Sequence, residues 1–429
     1  MTHPHILVLA GNARILEKAA KLGLRVTNFE KPGTFDPRVV PYCSRLHLFD
    51  FQDIRLVTEL ARTLHSVDPF SRIITHSEIG QVISGHLNTT LGLPGNGLEV
   101  TRTLHDKLAL RELLNDKGLG PVPAARRTTR DDLRAFVGEH GGAVVKPLMG
   151  SGSLGVRKVH SVDEVPEVWE WIDSYGVGDF MIEALLTGEE LSVETFSHAG
   201  RHTVLAVTGK DTKDGVIEQG HVVPAALDEQ DATAVREFTC AVLDGVGLVD
   251  GVAHTEIMLT ARGPRVIESH SRAGGDRISK LVELATGIDL EALPFQLAAD
   301  PGFTVPVPRP RGGAAVQFLD VAPGRITEVS GVDAARAMDG VVELSVRAEV
   351  GDVVRPVQWS DDRPGYVLVR APTGAEAARR VREVAESIVM RTTPVVDEPA
   401  PTMEDVLAEA HEALDPFARG GSEDEWSRK

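Results

Sequence analysis

The chain has 429 residues, of which 42% are hydrophobic and 25% are charged, and its formal net charge at pH 7 is −18. This length and composition indicate a soluble globular chain with room for about two to four domains. The acidic balance excludes a general nucleic-acid binder, because the contact surface of such a protein is basic.

The cysteine count and the apolar runs bear on the cellular compartment. Cys43 and Cys240 are the only cysteines, too few for a disulfide framework, and they favour a reducing cytoplasm. The start of the chain lacks a charged segment leading into a long apolar run, and no stretch approaches the length of a membrane helix. We therefore expect a cytoplasmic protein with no membrane and no nucleic-acid partner.

Strand and helix patterns alternate in the first hundred residues. The run from His5 to Ala10 has the pattern of a buried strand, a helical stretch follows it, and strand patterns return at Leu24 to Phe29 and at Arg72 to Thr75. This order predicts a parallel α/β domain over residues 1–100. Gly11 follows the first strand, but the pattern GxGxxG is absent, so dinucleotide binding has little support.

A lysine precedes a glycine-rich loop in the middle of the chain. Lys146 lies on an apolar strand, and the loop after it contains Gly150, Ser151, Gly152 and Gly155. Such a loop can expose backbone N–H groups to an anion. Because the lysine comes before the glycines, the pattern is not a Walker A loop but that of a lid over nucleotide phosphates. The alternative is an ordinary glycine-rich turn, although a buried lysine needs a partner.

The segment from Phe180 to Glu194 combines an apolar strand with several carboxylates. The end of the strand, from Glu183, can present backbone donors and acceptors to an adenine edge. Glu190, seven residues later, can accept hydrogen bonds from ribose hydroxyls. Taken alone, the segment is equally well a strand, a turn and a second strand with surface glutamates.

Two strand-like runs, Glu256 to Thr260 and Pro264 to Glu268, predict a hairpin. The intervening Ala261 to Gly263 suits a three-residue loop with glycine in the left-handed position, so that Thr260 pairs with Pro264 and Glu256 with Glu268. Directly opposed residues have Cβ atoms roughly 4.5 to 5.5 Å apart, a distance at which like charges repel. The hairpin therefore needs a cation between the two glutamates.

Period-two alternation places further side chains on the face of the two glutamates. Met258 and Val266 are expected on this face, together with His270 and Arg272 if the second strand continues. Two carboxylates, together with the phosphates of a substrate, form a site that suits Mg²⁺. The alternatives are two exposed glutamates on a surface hairpin, or a register shifted by one residue.

The remaining chain divides at turn-rich segments. A run of turn residues at 91–95 precedes a helix that carries Asp106 and Lys107. Residues 301–312 contain four prolines and predict a linker. Beyond it, residues 314–369 are strand-rich, and residues 396–429 form an acidic tail to which no chemistry is assigned. A helix face between them is marked by Ala377, Val381, Val384 and Ile388.

The order of these features is similar to that of a known superfamily. Asp106-Lys107, the Lys146 strand with its glycine loop, Glu183 and Glu190, Glu256, and Glu268-Ser-His-Ser-Arg272 follow one another as in ATP-grasp enzymes. The resemblance covers roughly residues 1–395 and implies a mixed α/β (α+β) ATP-grasp fold. The implied parts are an N-terminal parallel α/β pre-ATP-grasp domain (1–100), an ATP-grasp domain (101–300) with a lid at about 127–187, and a strand-rich C-terminal α+β domain (313–395).

The resemblance also implies ligands and roles. The cofactors are ATP and Mg²⁺, with two ions expected and Mn²⁺ also accepted. The ATP-binding residues are Lys107, Lys146, Ser151 and Gly152 at the phosphates, Glu183, Ala184 and Leu186 at adenine, and Glu190 at ribose. The metal ligands are Glu256, Glu268 and His270, and the catalytic residues are Arg272 and Lys146.

His270 departs from the family pattern, which has asparagine at this position. A neutral imidazole can bind a divalent metal, although magnesium prefers oxygen ligands. As imidazolium it could instead contact a phosphate oxygen, and both roles remain open.

Within the superfamily the chain resembles carboxylate–amine ligases of the L-amino-acid ligase type. The resemblance rests on Glu218 to Ala225, Arg272 to Ile278, Gly312 to Leu319, Val321 to Gly324 and Asp361 to Tyr366. It implies a substrate site, a small-molecule carboxylate and an amine as partners, and allows a homodimer. The substrate candidates are Glu78, Glu218, His221, Gly275 and Asp276, and a solvated loop histidine is an equal alternative for His221.

The implied reaction activates a carboxylate as an acyl phosphate, which an amine attacks to give an amide, ADP and phosphate. The nearest alternatives are a biotin-carboxylase-like enzyme and a formate-dependent enzyme of the purine-biosynthesis type. A third alternative is an ATP-binding module without turnover.

Overall fold

The computed structural model describes residues 3–395, except for residues 128, 149–154, 176–179, 214–216, 301 and 358–359. The strands of this part of the chain form four sheets. None of its helices is long and apolar enough to cross a membrane.

A parallel sheet of four strands organises the N-terminal residues, as expected, in the order β3-β2-β1-β4. The central strand is apolar on both sides because helices cover both faces. Ile6 and Val8 pack on one face, and Leu7 and Leu9 on the other. The elements are β1 (His5–Leu9), α1 (Ala13–Lys21), β2 (Arg25–Glu30), β3 (Arg45–Leu48), α2 (Ile54–Val67), β4 (Arg72–Thr75) and α3 (Gln81–Leu91).

Two helices, α4 (Leu98–His105) and α5 (Lys107–Asp116), connect this domain to the next sheet. The prediction of one helix carrying both Asp106 and Lys107 is wrong. Asp106 lies between the helices, where its carboxylate accepts hydrogen bonds from the N–H groups of Leu108 and Ala109 and caps α5. Lys107 is therefore the first residue of α5, and its N–H donates to the carbonyl of Leu148.

An antiparallel sheet of four strands follows, in the order β5-β8-β6-β7. Val145 and Ile182 belong to its apolar core with helices α6 and α7. Because side chains alternate along a strand, Lys146 and Glu183 extend from the opposite face. The elements are β5 (Ala124–Arg127), α6 (Arg130–His140), β6 (Ala143–Pro147), β7 (Arg157–Val159), α7 (Val165–Tyr175) and β8 (Phe180–Ala184).

The largest sheet has eight strands, in the order β13-β12-β9-β10-β11-β14-β18-β16. Its last three strands come from the C-terminal part of the chain, so this part continues the central sheet. Its strands are β9 (Glu189–His198), β10 (Arg201–Lys213), β11 (Ile217–Val223), β12 (Gly251–Thr260), β13 (Gly263–His270), β14 (Gly313–Phe318), β16 (Val341–Val346) and β18 (Gly365–Ala371). The helices packed along it are α8 (Glu229–Val246), α9 (Ile278–Thr286), α10 (Leu293–Ala299) and α12 (Gly374–Glu386).

A small sheet completes the C-terminal part, in the order β17-β15-β19. Ala377, Val381 and Val384 of α12 are buried as the helix-face pattern predicts, and Ile388 is buried just beyond the end of the helix. The remaining elements are β15 (Gly324–Ser330), α11 (Val332–Arg336), β17 (Val353–Val354) and β19 (Val389–Thr393).

The hairpin of β12 and β13 places Glu256 opposite Glu268 as predicted, but by a different route. Thr260 pairs with Gly263 across a two-residue loop, and the register shifts by one residue between Ile257 and Glu256. This bulge restores the pairing of the glutamates. Val266 pairs with Ile257 rather than with Met258, so its expected place on the glutamate face is wrong.

Candidate active site

Each glutamate of the hairpin has a lysine beside it. Lys210 Nζ lies 2.8 Å from Glu256 Oε1, and Lys107 Nζ lies 3.0 Å from Glu268 Oε2. Burial alone would raise the pKa of Glu256, but the charge of Lys210, together with the hydrogen bond and charge of His254, lowers this pKa to about 2. Burial also opposes ionisation of Glu268, whose pKa Lys107 and His270 hold well below its usual range. Two ionised carboxylates therefore face each other at neutral pH.

Lys210 is a residue that the sequence reasoning missed. Its side chain is 1% exposed, and its ammonium lies 2.8 Å from Glu190, 2.8 Å from Glu256 and 3.4 Å from Glu218. Although burial lowers the pKa of a lysine, these carboxylates raise the pKa of Lys210 well above its usual value. One cation thus joins the predicted ribose, metal and substrate glutamates. No local signal singles out Lys210, because the part of the strand around it, from Thr208 to Thr212, is largely polar.

Lys146 and Glu183 belong to a second buried ionic cluster. Lys146 Nζ lies 2.6 Å from Glu183 Oε1, and Arg111 Nε donates to Glu183 Oε2 at 3.2 Å. Arg111 also donates to the carbonyl of Val266 and was not found from the sequence. Two cations share one carboxylate, which leaves excess positive charge for phosphate groups. The Glu183 carboxylate is engaged by these cations, so a contact with adenine would use the backbone.

The predicted adenine segment spans the end of β8 and the loop after it. The N–H of Ala184 donates to the carbonyl of Pro123 at 2.9 Å, and Leu186 lies two residues further along the connecting loop. Ser151 and Gly152, predicted at the phosphates, lie outside the described residues.

Glu78 of the N-terminal domain contacts one arginine and two histidines. Arg272 Nε donates to its Oε2 at 2.5 Å, and the Nδ1 atoms of His105 and His270 lie 3.1 and 3.3 Å from its Oε1. Burial opposes ionisation, but the charges of His270 and Arg272 keep the pKa of Glu78 well below its usual range. His270 Nε2 also lies 3.0 Å from Glu268 Oε1, so a metal bond would require the imidazole to turn away from both carboxylates.

Three of the predicted substrate residues, Glu218, His221 and Asp276, lie near a buried arginine. Arg363 Nη1 donates to Asp276 Oδ2 at 3.0 Å and to the carbonyl of Glu218 at 3.2 Å, and its guanidinium lies 3.5 Å from the ring centroid of Phe318. His221 is 3% exposed on β11, 3.6 Å from Asp276, which excludes the alternative of a solvated loop histidine. Arg363 lies within the segment 361–366 on which the ligase resemblance partly rested, but it was not singled out.

A cavity of about 640 Å³ opens beside Arg272, between the N-terminal domain, the loop after β13 and α9. Glu78, Gly275 and Asp276 line it, whereas Glu218 and His221 do not. Ligand pockets are usually mostly apolar, and this one is not. Its charged lining consists of Arg14, Lys18, Glu78, Arg272, Asp276, Arg277, Lys280, Glu283, Asp289, Glu291 and Glu343.

The donor set at the hairpin fits Mg²⁺ accompanied by a nucleotide. Within the described part of the chain, no three His, Cys, Asp or Glu side chains form a group that could hold a metal by themselves. Magnesium usually takes one or two carboxylates and completes its shell with substrate phosphates and water. Glu256 and Glu268 supply the two carboxylates, and Lys107, Lys146 and Lys210 supply positive charge for the phosphates.

Three family profiles match the chain along its length. They are the ATP-grasp N-terminal domain at residues 16–95, the ATP-grasp domain at residues 141–280, and the L-amino acid ligase C-terminal domain 2 at residues 317–393. The chain belongs to the ATP-grasp superfamily, as the sequence predicted.

Individual relatives are consistent with the third profile. The chain is 26% identical to the L-arginine-specific L-amino acid ligase of Bacillus subtilis, over 72% of this chain and 78% of that protein. It is 28% identical to the alanine–anticapsin ligase of Bacillus subtilis (strain 168), over 47% and 48% of the two chains. The crystal structure of the L-amino acid ligase from Bacillus licheniformis superposes with a TM-score of 0.78 at 23% identity, covering 92% of this chain and 100% of that one. Within the superfamily the chain thus resembles the L-amino-acid ligases, and it is an ATP-grasp ligase of the type that forms C–N bonds.

Proposed function

We propose that this enzyme activates an amino acid or a related carboxylate as an acyl phosphate and joins it to an amine, releasing ADP and phosphate. The observation that carries the proposal is the pair of ionised glutamates, Glu256 and Glu268, each beside a lysine and close to the cavity that Arg272 lines. This arrangement supports a site for the charges of Mg-ATP beside a site for a small substrate.

The first step is phosphoryl transfer. A carboxylate oxygen of the substrate attacks the γ-phosphorus of ATP, the bond to the β,γ-bridging oxygen breaks, and ADP leaves. Such transfer asks the protein mainly for positioning and charge neutralisation. Lys107, Lys146 and Lys210 provide cations, while Glu256 and Glu268 would hold Mg²⁺, which neutralises phosphate charge when bound. We assign Leu186 to the adenine contact and Glu190 to the ribose contact.

The second step forms the amide. The amine nitrogen attacks the carbonyl carbon of the acyl phosphate, loses a proton, and phosphate leaves with the electrons of the C–O bond. Negative charge develops on the former carbonyl oxygen in the tetrahedral intermediate. Arg272 lines the cavity, and its contact with Glu78 fixes the direction of the guanidinium. We assign Arg272 to stabilising this charge.

The lining of the cavity supports small polar substrates that carry charge. Its charged side chains are arranged in pairs of opposite sign, such as Lys280 with Glu283 at 2.9 Å and Arg277 with Glu343 at 3.6 Å. A free amino acid with a polar side chain can form ion pairs or hydrogen bonds with the members of such pairs, whereas an aliphatic side chain has only Ala10, Ile15 and Ala273 as apolar neighbours in the lining.

We also propose that the enzyme is cytoplasmic and that it assembles as a homodimer.

The biotin-carboxylase and purine-biosynthesis branches remain the alternative reactions, and a non-catalytic ATP module the alternative function. The C-terminal profile and the contact between Asp276 and Arg363 favour the amino-acid ligase. Intact Glu256, Glu268 and Arg272 disfavour the module.

The test is ADP release from Mg-ATP with amino acids offered singly and in pairs, with bicarbonate and formate included, and with products identified by mass. We expect a signal that depends on a pair of amino acids and a product lighter than the two by one water. Release of ADP with bicarbonate or formate alone would instead assign the protein to the biotin-carboxylase or purine-biosynthesis branch. Silence throughout would leave an acid or amine outside the tested set, or the non-catalytic module, as the two alternatives to separate next.

A further inference from the structure

A buried histidine connects the hairpin glutamate to an outer carboxylate. His254 lies on β12, two residues before Glu256, and pairs with Glu194 of β9. Its Nδ1 lies 2.7 Å from Glu194 Oε1, and its Nε2 lies 3.2 Å from Glu256 Oε1. Because both carboxylates can only accept, the ring donates from both nitrogens.

The surroundings hold the imidazole ring in one orientation. Ser192 donates to Glu194 Oε1 at 2.9 Å, which orients the outer carboxylate. The backbone of Gly274 covers the ring so closely that a Cβ at this position would lie 2.7 Å from His254 Nδ1. The ring of His254 also stacks with that of His270, with ring centroids 6.5 Å apart and planes inclined by 21°.

The burial of these polar groups costs folding free energy that a purely structural element would not need to spend. Glu194 has no exposed surface and His254 is 4% exposed, and Glu194 Oε2 is buried without a hydrogen-bond partner among the described residues. Buried polar groups cost free energy unless they are fully satisfied. Besides Glu194, His254 makes its side-chain contact with Glu256. This contact falls on the same carboxylate oxygen that Lys210 contacts.

We propose that His254 is a positioning residue that, with Glu194 behind it, fixes Glu256 for the metal ion of the nucleotide. The inference rests on the proposed function, because it assumes that Glu256 faces that ion. Both contacts of the carboxylate fall on Oε1, and no described residue donates to Oε2. The imidazole thereby defines which oxygen is offered to the metal. Losing such an outer partner typically costs about 10- to 100-fold in metal affinity.

The experiment separates metal binding from nucleotide binding. ADP is titrated calorimetrically into the full-length protein with and without Mn²⁺, and the ratio of the two affinities measures the contribution of the metal. We expect His254→Gln and the isosteric Glu194→Gln to lower this ratio about 10- to 100-fold, with the affinity for ADP alone unchanged. His198→Gln is the matched control, since it removes another histidine–carboxylate pair of β9, with Asp250 at 3.0 Å, away from Glu256.

Glu256→Gln distinguishes the two levels of the hypothesis. If it abolishes the effect of Mn²⁺ while His254→Gln and Glu194→Gln retain the wild-type ratio, the positioning role is wrong and the metal site stands. If Glu256→Gln also retains that ratio, the metal assignment fails, and the positioning role with it. If His198→Gln lowered the affinity ratio by the same factor, the effect would come from general packing, and the proposal would be overturned. Should His254→Gln fail to fold, Glu194→Gln decides.

Discussion

At the scale of single residues, the site is governed by lysines that compensate buried carboxylates. Lys210 contacts Glu190 and Glu256 at equal distances of 2.8 Å. Removing one partner of a buried ionic cluster leaves uncompensated charge, whereas the same change on the surface is nearly neutral.

Lys210→Met should destabilise the protein by about 3 to 5 kcal/mol, because three glutamates then lose their shared cation in a buried site. Urea unfolding monitored by circular dichroism gives the free energy of unfolding. The control is Lys21→Met, which removes an exposed ion pair with Glu17 and should cost less than about 0.5 kcal/mol. Equal losses in the two variants would show that Lys210 does not carry this compensation.

The ionisation of Glu256 should make stability depend on pH in the acidic range. Its folded pKa, about 2, lies below the ordinary value of 4.5, so its contribution is present above pH 4.5 and is lost as the pH falls toward 2. The full contribution is about 3 kcal/mol. Unfolding free energies measured from pH 6 to pH 2 should fall less steeply in Glu256→Gln than in the wild type. Parallel curves would contradict the depressed pKa.

At the scale of elements, the start of a helix places one of the phosphate-binding candidates. Asp106 caps α5 through the N–H groups of Leu108 and Ala109, and Lys107 follows directly in the first turn. The cap thereby fixes the backbone from which Lys107 reaches Glu268.

Asp106→Ala should cost about 1 kcal/mol of stability, and it should also raise the KM for ATP because Lys107 loses its support. The chain offers a matched control in Asp53, which caps α2 by the same contacts with the N–H groups of Arg55 and Leu56. Asp53→Ala should lose similar stability with an unchanged KM. Thermal unfolding and steady-state ADP release measure the two effects, and a KM that rises in both variants would refute a specific role for the cap.

At the scale of the whole molecule, distant parts of the chain complete one site. The N-terminal domain contributes Glu78, which contacts Arg272 after β13. The C-terminal part contributes Arg363, which contacts Asp276 in the loop that lines the cavity. A substrate in the cavity would therefore lie close to side chains that the N-terminal domain, the loop after β13 and the C-terminal part position together.

Arg363→Lys should impair substrate binding without affecting ATP. Lysine keeps the charge but loses the bidentate contact with Asp276 and the stacking on Phe318. We expect KM for the amino-acid substrate to rise at least about 10-fold, the equivalent of 1.4 kcal/mol, with KM for ATP unchanged. The control is Arg370→Lys, because Arg370 is an exposed arginine of β18. If KM for ATP changed instead, the assignment of this region to the substrate would be wrong.

The sequence by itself determined the kinds of element, their order and most of the chemistry at the hairpin. Local rules carry this information: alternation marks strands such as β1, and a lysine on an apolar strand marks Lys146. The same rules misjudged the hairpin loop and the face of Val266, because a bulge shifts the register by one residue without a clear local signal.

Only the tertiary structure decided which side chains from distant parts of the chain meet. Partners from distant parts of the chain are brought to Lys210, His254, Arg111 and Arg363 by the order of the strands and the packing of helices and loops. Whether a charge is buried, and which opposite charge compensates it, are properties of the folded molecule. The chemistry of the site could therefore be read from residue types in order, whereas the contacts that hold each group ionised and oriented depended on the fold.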